Sequence, residues 1–247
     1  MDAEKQIQIV IEPSKENPFV VIKKPRGLPS APLFEGDECA FTQAAKLYPY
    51  LLEVSGKKEI EHGLVHRIDT ETEGLLLIAA TQESYNAFIN FQREGKFLKG
   101  YSAKCQKIEN ALEGFPPAEF LLENKSDSIK KYTVSSKFRP FSLKSSQVRP
   151  VTSNSGKAAQ KKCSEKIYTT EILLDTDKLF AKCSIKEGFR HQVRCHLAWL
   201  GFPVCGDKLY NPLCSQNEEM QFFADYLKFP HPLTGEAVEC SYNVKIQ

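Results

Sequence analysis

The chain has 247 residues, 41% of them hydrophobic and 26% charged, the balance of a soluble globular protein with room for one sizeable domain or two small ones. A net charge of +2 excludes a surface that binds polyanions everywhere, so any nucleic-acid contact must come from local clustering of the 33 Lys and Arg. No apolar run reaches the ~18 residues of a membrane span; Met1 to Gln6 lacks the apolar stretch of a secretory signal; and eight cysteines without a Cys-x-x-Cys pair read as buried, reduced thiols rather than a zinc cluster or a disulfide framework.

Ile7, Ile9 and Ile11 alternate, which predicts a short strand. Asn17-Pro18-Phe19-Val20-Val21-Ile22-Lys23-Lys24-Pro25 is a β-branched strand stopped by proline, and residues 26–32 follow as an irregular loop. From Asp37 to Tyr48 the pattern is helical, with Phe41, Ala44, Ala45 and Tyr48 on one face. Then comes the most unusual stretch, Val65-His66-Arg67-Ile68-Asp69-Thr70-Glu71-Thr72-Glu73-Gly74, dense in charge and running into Leu75-Leu76-Leu77-Ile78-Ala79-Ala80. The second half reads as a strand buried on both faces. A polar loop delivered into such a strand is how a scaffold holds a reactive group against its core. Asp69 is either a turn residue or, beside the cations of His66 and Arg67, an ionised nucleophile or base.

Thr81 can cap a helix over 82–94 that Gly95 ends. Residues 96–105 form a strand with Phe97, Tyr101, Ala103 and Cys105 on one side, where Tyr101 is read from the residues alone as a core aromatic. Residues 106–165 look less regular. Within them Ser153 to Lys166, carrying Lys157, Lys161, Lys162 and Lys166, reads as a solvated surface hairpin, with a basic contact to RNA phosphates as its functional alternative. Strands follow at 167–174 and, with clean alternation, at 179–185. Residues 187–201 read as a helix bounded by glycines, with Val193, Leu197 and Leu200 inward and Arg190 and Arg194 one turn apart on a flank. Two arginines at the positive end of a helix are either an exposed pair or the seat of an anion.

Four ordered motifs carry a resemblance. His66-Arg67-Ile68-Asp69-x-x-Thr72-x-Gly74-Leu75-Leu76 is similar to His-Arg-Leu-Asp-x-x-Thr-Ser-Gly-Leu-Leu, the hallmark of the RluA-like pseudouridine synthases. Lys23-Lys24-Pro25-Arg26-Gly27-Leu28-Pro29 resembles that family's Asn-Lys-Pro-x-Gly-Leu-Pro without the Asn, and Lys99-Gly100-Tyr101-Ser102-Ala103 its Lys-x-Tyr-x-Ala. Gly188 to Leu197, then Gly201-x-Pro203-Val204-x-Gly206-Asp207-x-x-Tyr210, resembles Gly-Arg-x-His-Gln-Ile-Arg-x-His-Leu followed by Gly-x-Pro-Ile-x-Gly-Asp-x-x-Tyr. The closing Leu227-x-Phe229-x-His231-Pro232-x-Thr234-Gly235-Glu236 also resembles the family's last motif, and the likeness runs from about residue 17 to 242. Three features depart from it. Glu73 stands where the family has Ser; Arg190 is displaced by one position from the first arginine of its motif; and the residues before the first strand leave no space for the S4-like RNA-binding domain of many members.

The resemblance implies an isomerase that converts uridine to pseudouridine in RNA, with no metal and no cofactor. Asp69 is then the essential carboxylate, Arg194 the cation that keeps it ionised, and Tyr101 the aromatic beneath the target base, catalytic residues all three. RNA contacts are expected from His66, Arg67, Arg190, His191, Gln192, Lys23 and Lys24, with Arg67 able to fill the gap left by a flipped uridine. The implied fold is α+β: a mostly antiparallel mixed β-sheet with flanking helices and loops and a central active-site cleft. Residues 1–16 would be an N-terminal extension and 17–247 the catalytic domain. The expected partner is ribosomal or transfer RNA, the expected setting a cytoplasmic monomer away from membranes. The alternative is a catalytically silent RNA-binding homologue. His-Arg-x-Asp also occurs in kinase catalytic loops, but no Gly-rich loop precedes it here and no Asp-Phe-Gly follows.

Overall fold

Hydrophobic runs too short for helices and rich in β-branched residues become strands, and the computed structural model arranges them in two compact units, residues 5–99 with 223–244 and residues 100–222. The structure describes residues 5–117, 120–124, 126–142 and 145–244.

In the first unit β1 (Gln8–Ile11), β2 (Phe19–Lys24) and β3 (Glu73–Ala79) pair antiparallel in that order. β10 (Phe222–Pro230) lies parallel to β3 through Phe223 and Ala224, and β11 (Ala237–Ser241) returns antiparallel along β10. That parallel contact makes the sheet mixed. β1 falls inside the stretch expected as an extension, and its pairing with β2 incorporates it into the sheet. β3 is buried from Gly74 to Ala79, as its unbroken apolar run predicts. Gly74 is required there because a Cβ would meet the Ala224 carbonyl oxygen at 2.3 Å. Helix α1 (Ala40–Leu47) begins later than expected because the Asp37 carboxylate instead accepts the Leu33 and Phe34 amides; Cys39 and Thr42 cap the helix reciprocally. Helix α2 (Gln82–Arg93) has Thr81 as its cap and Gly95 at φ +66° just past its end. Phe19 meets Phe88 and Phe229 edge-on at 5.7 and 5.5 Å, in a core shared by β2, α2 and β10.

The second unit is entered along β4 (Leu98–Lys104). Its strand order is β4-β9-β8-β6-β5, with β7 (Gln147–Val151) pairing β6. β5 (Leu121–Asn124), β6 (Ile129–Phe141), β8 (Tyr168–Asp175) and β9 (Phe180–Ile185) form antiparallel ladders. The region expected to be irregular thus holds a 13-residue strand, β6. The 153–166 segment is not a hairpin: Lys157–Lys161 form the one-turn helix α3. Helix α4 spans only Gln192–Trp199, because His191 adopts a left-handed conformation (φ 57°, ψ 15°) and ends the helical path on its N-terminal side. All eight residues of α4 are buried, so it has no solvent flank. None of the eight cysteines lies in a disulfide, and no helix among the described residues is long and apolar enough to cross a membrane.

Candidate active site

The Asp69 loop belongs to the first unit. Residues 63–66 run back along β3, with Leu64 bridging Ile78 and the Val65 amide donating to Leu77 at 3.0 Å. The same register turns the His66 ring inward, where its Nε2 accepts the Leu77 amide at 3.3 Å and the ring packs edge-on against Phe97. Burial, and then the Lys99 charge, push the His66 pKa down to about 3, so this imidazole is neutral. Arg67 points the other way, exposed and paired with Glu61 at 2.9 Å. Asp69 follows, half-buried, and the Thr72 amide donates to its carbonyl at 3.0 Å.

The loop is tied on both sides of Asp69 to the segment leaving β2. Before it, the Ser30 hydroxyl donates to the Ile68 carbonyl at 2.7 Å and accepts the Ile68 amide at 3.1 Å. After it, the Thr70 carbonyl accepts from the Gly27 amide at 2.9 Å and from Lys24 Nζ at 3.0 Å. Lys24 is wholly buried and donates also to the Pro25 and Leu28 carbonyls. Burial pushes its pKa down to about 7, against the opposing pull of Asp69, Glu71 and Glu73. Its ammonium therefore serves the loop from within rather than offering a charge to solvent. Lys23, on the opposite face, pairs with Glu73 at 2.7 Å and lies 4.5 Å from the Tyr242 ring centre. The family's Ser-to-Glu change is thereby matched by a cation on the neighbouring strand.

Tyr101 and Arg194 belong to the second unit. Tyr101 is buried on β4, its ring parallel to Phe222 at 5.2 Å between centres. Arg194 is 6% exposed on α4, with Nε and Nη2 donating to the two Asp207 oxygens at 2.7 Å each. Asp207 accepts the Leu209 and Tyr210 amides as well, so the buried pair has satisfied surroundings. Gln192 is also internal, donating to Thr169 and Thr170 and accepting the Phe189 amide. His191 shares a 3.1 Å hydrogen bond with the Tyr210 hydroxyl. Arg190 lies in the turn before α4, not on it, and donates to the Ser145 and Gln147 carbonyls. The expected one-turn spacing with Arg194 disappears with the shortened helix.

Of the residues singled out in the sequence, Asp69, His66, Arg67, Lys23 and Lys24 thus fall in one unit, and Tyr101, Arg194, Arg190, His191 and Gln192 in the other. Asp207 stands in the sequence motif without a role of its own. The signal for one was available, because an arginine inside a helix of apolar residues needs a carboxylate. Ser30 carried no signal; only the fold brings it to Ile68.

The fold has solved counterparts. The chain superposes on human RNA pseudouridylate synthase domain containing 1 with a TM-score of 0.65, at 19% identity, over 99% of this chain and 86% of that one. That likeness establishes an α+β fold of the pseudouridylate synthase type. The RNA pseudouridylate synthase family model matches residues 18–199, and the chain belongs to that family. Among curated relatives, it is 25% identical to the ribosomal large subunit pseudouridine synthase D of Buchnera aphidicola, over 92% of this chain and 67% of the relative. It is 24% identical to the tRNA pseudouridine(31) synthase of Saccharomyces cerevisiae, over 91% of this chain and 52% of the relative. The chain spans roughly half to two thirds of the length of such relatives.

Proposed function

We propose that this protein isomerises uridine to pseudouridine in RNA, with Asp69 as its essential carboxylate. The observation that carries this reading is the Asp69 loop itself: the family's motif aspartate, half-buried, with hydrogen bonds from a second segment fixing the backbone on either side. Such bracing suits a group that must be oriented before it reacts. The reaction breaks the bond from ribose C1′ to uracil N1 and forms one from C1′ to C5. The C5 proton leaves and N1 gains one, so no oxidant, reductant or group donor is consumed. Arg194 is the cation that serves the carboxylate and Tyr101 the aromatic that supports the uracil. A uridine must leave its stack to react at such a loop, and the exposed Arg67 is the residue that takes its space in this reading.

The RNA is ribosomal or transfer RNA, the two classes named among the relatives. Arg67, Arg190, His191 and Lys23 are the contacts we retain for it, since Lys24, His66 and Gln192 are buried. A chain of eight cysteines without disulfides fits a reducing, cytoplasmic setting, and we take the working unit as a monomer. The test is release of tritium from C5-labelled uridine in ribosomal and transfer RNA by the purified protein and by Asp69→Asn. Asn keeps the shape and loses the charge, and turnover should fall by about a thousandfold or more, with RNA affinity and melting temperature unchanged. Turnover of Asp69→Asn within about tenfold of wild type would remove the aspartate from the chemistry.

A further inference from the structure

We propose that Ser30 is a positioning residue for Asp69: its hydroxyl sets the direction in which the carboxylate leaves the loop. The inference rests on the reading of Asp69 as the reacting group.

Ser30 and Ile68 stand 38 positions apart in the chain and are both almost wholly buried. One hydroxyl there satisfies both main-chain groups of Ile68, donating to the carbonyl at 2.7 Å and accepting from the amide at 3.1 Å. The carbonyl is the consequential partner. It belongs to the planar peptide that joins Ile68 to Asp69, so fixing its direction fixes the plane containing the Asp69 nitrogen. The Thr72 amide holds the carbonyl of the next peptide, that of Asp69 itself, at 3.0 Å. Both peptides flanking the Asp69 Cα are therefore held.

Ser30 is itself anchored. The first amides of α1 reach back to this segment, Ala40 donating to the Pro29 carbonyl at 2.8 Å and Phe41 to the Ser30 carbonyl at 3.2 Å. A continuous chain of hydrogen bonds therefore runs from the start of a helix, through Ser30 and Ile68, to the peptide that carries Asp69. The other brace, from Lys24 and Gly27, meets the loop at the Thr70 carbonyl, beyond the reacting residue. Ser30 is thus the side chain whose removal would loosen the peptide entering Asp69 while leaving that second brace in place. Ser30 does not reach the substrate itself; it acts through Ile68.

The experiment uses a pair of variants matched in shape, Ser30→Thr, which keeps the hydroxyl, and Ser30→Val, which lacks it. The C5 tritium-release assay gives kcat and KM for each, with Asp69→Asn alongside, and hydrogen exchange follows the Ile68 amide. Ser30→Val is expected to lose about ten- to a hundredfold in kcat, the effect of a small misplacement of a reacting group. Its KM should stay near that of wild type, its Ile68 amide should exchange faster, and Ser30→Thr should restore most of the rate. A purely structural serine would lower the melting temperature of Ser30→Val and leave kcat of the folded enzyme in place. If Asp69→Asn is inactive and Ser30→Val turns over within about threefold of Ser30→Thr, Ser30 has no positioning role. If Asp69→Asn remains active, the carboxylate reading falls and this inference falls with it.

Discussion

The main chain on either side of Asp69 is braced by a second segment, and the Arg194 side chain is gripped by a carboxylate. In the first unit, Ser30, Gly27 and Lys24 bind the peptide groups on either side of the aspartate. In the second, the Arg194 guanidinium is gripped by both oxygens of Asp207, and Asp207 Oδ1 is held in turn by two backbone amides. The difference fits the roles proposed for the two groups. A carboxylate that reacts must present its oxygens to a substrate, and main-chain hydrogen bonds worth about 1 kcal/mol each help to orient it. A cation that acts through its charge can be buried, provided a carboxylate pairs with it and further hydrogen bonds complete the pair.

The largest expected effect tests the second half of this contrast. Asp207→Ala removes the carboxylate that grips a buried guanidinium and should cost about 3–5 kcal/mol in denaturant unfolding. Asp69→Asn should shift the same transition by less than about 1 kcal/mol, because the main-chain braces at Ile68 and Thr70 remain. Equal destabilisation of the two variants would erase the distinction.

A pH-dependent effect, about 1.4 kcal/mol per pH unit for each group, probes the two buried imidazoles, one in each unit. His66, beside the Asp69 loop, and His196, between Ser136 and Thr170, both have pKa values pushed down to about 3 from 6.5 by burial. The unfolded chain therefore takes up these protons first as pH falls. Stability is fully present above pH 6.5 and is lost between 6.5 and about 3, at about 1.4 kcal/mol per pH unit for each histidine. Urea unfolding at a series of pH values should show this slope for two protons, and His66→Gln or His196→Gln should each remove one of them. A slope unchanged by either replacement would show that the imidazoles are not the groups titrating.

The smallest effect concerns the surface of the second unit. Lys157, Lys161 and Lys162 are exposed on and just after α3. If they touch RNA phosphates, replacing all three by Ala should reduce the slope of log affinity against log salt by about one for each phosphate no longer neutralised. An identical slope would return them to the solvent.

By itself the sequence determined the parts whose cause is local. The apolar run of β3, the Thr81 cap and Gly95 stop of α2, and the alternation of β9 are each written within a few neighbouring residues. The motif around Asp69 was legible for the same reason, as was the resemblance it carried, which the family match bears out. Only the tertiary structure decided where polar groups would go. Strand β6 was hidden by its lysines and serines and by Pro140, and it forms because β8, about 40 residues on, offers a matching ladder. Helix α4 was foreshortened by one left-handed residue, His191, which carries Arg190 off the helix. Lys24 and Ser30 look like surface residues in sequence, and both are buried because residues 68–70 bring peptide groups that need them. A hydrophobic pattern reports its own burial, because apolar side chains leave water whatever their partner. A buried lysine or serine is stable only with particular partners, and those partners are known only once distant segments have met.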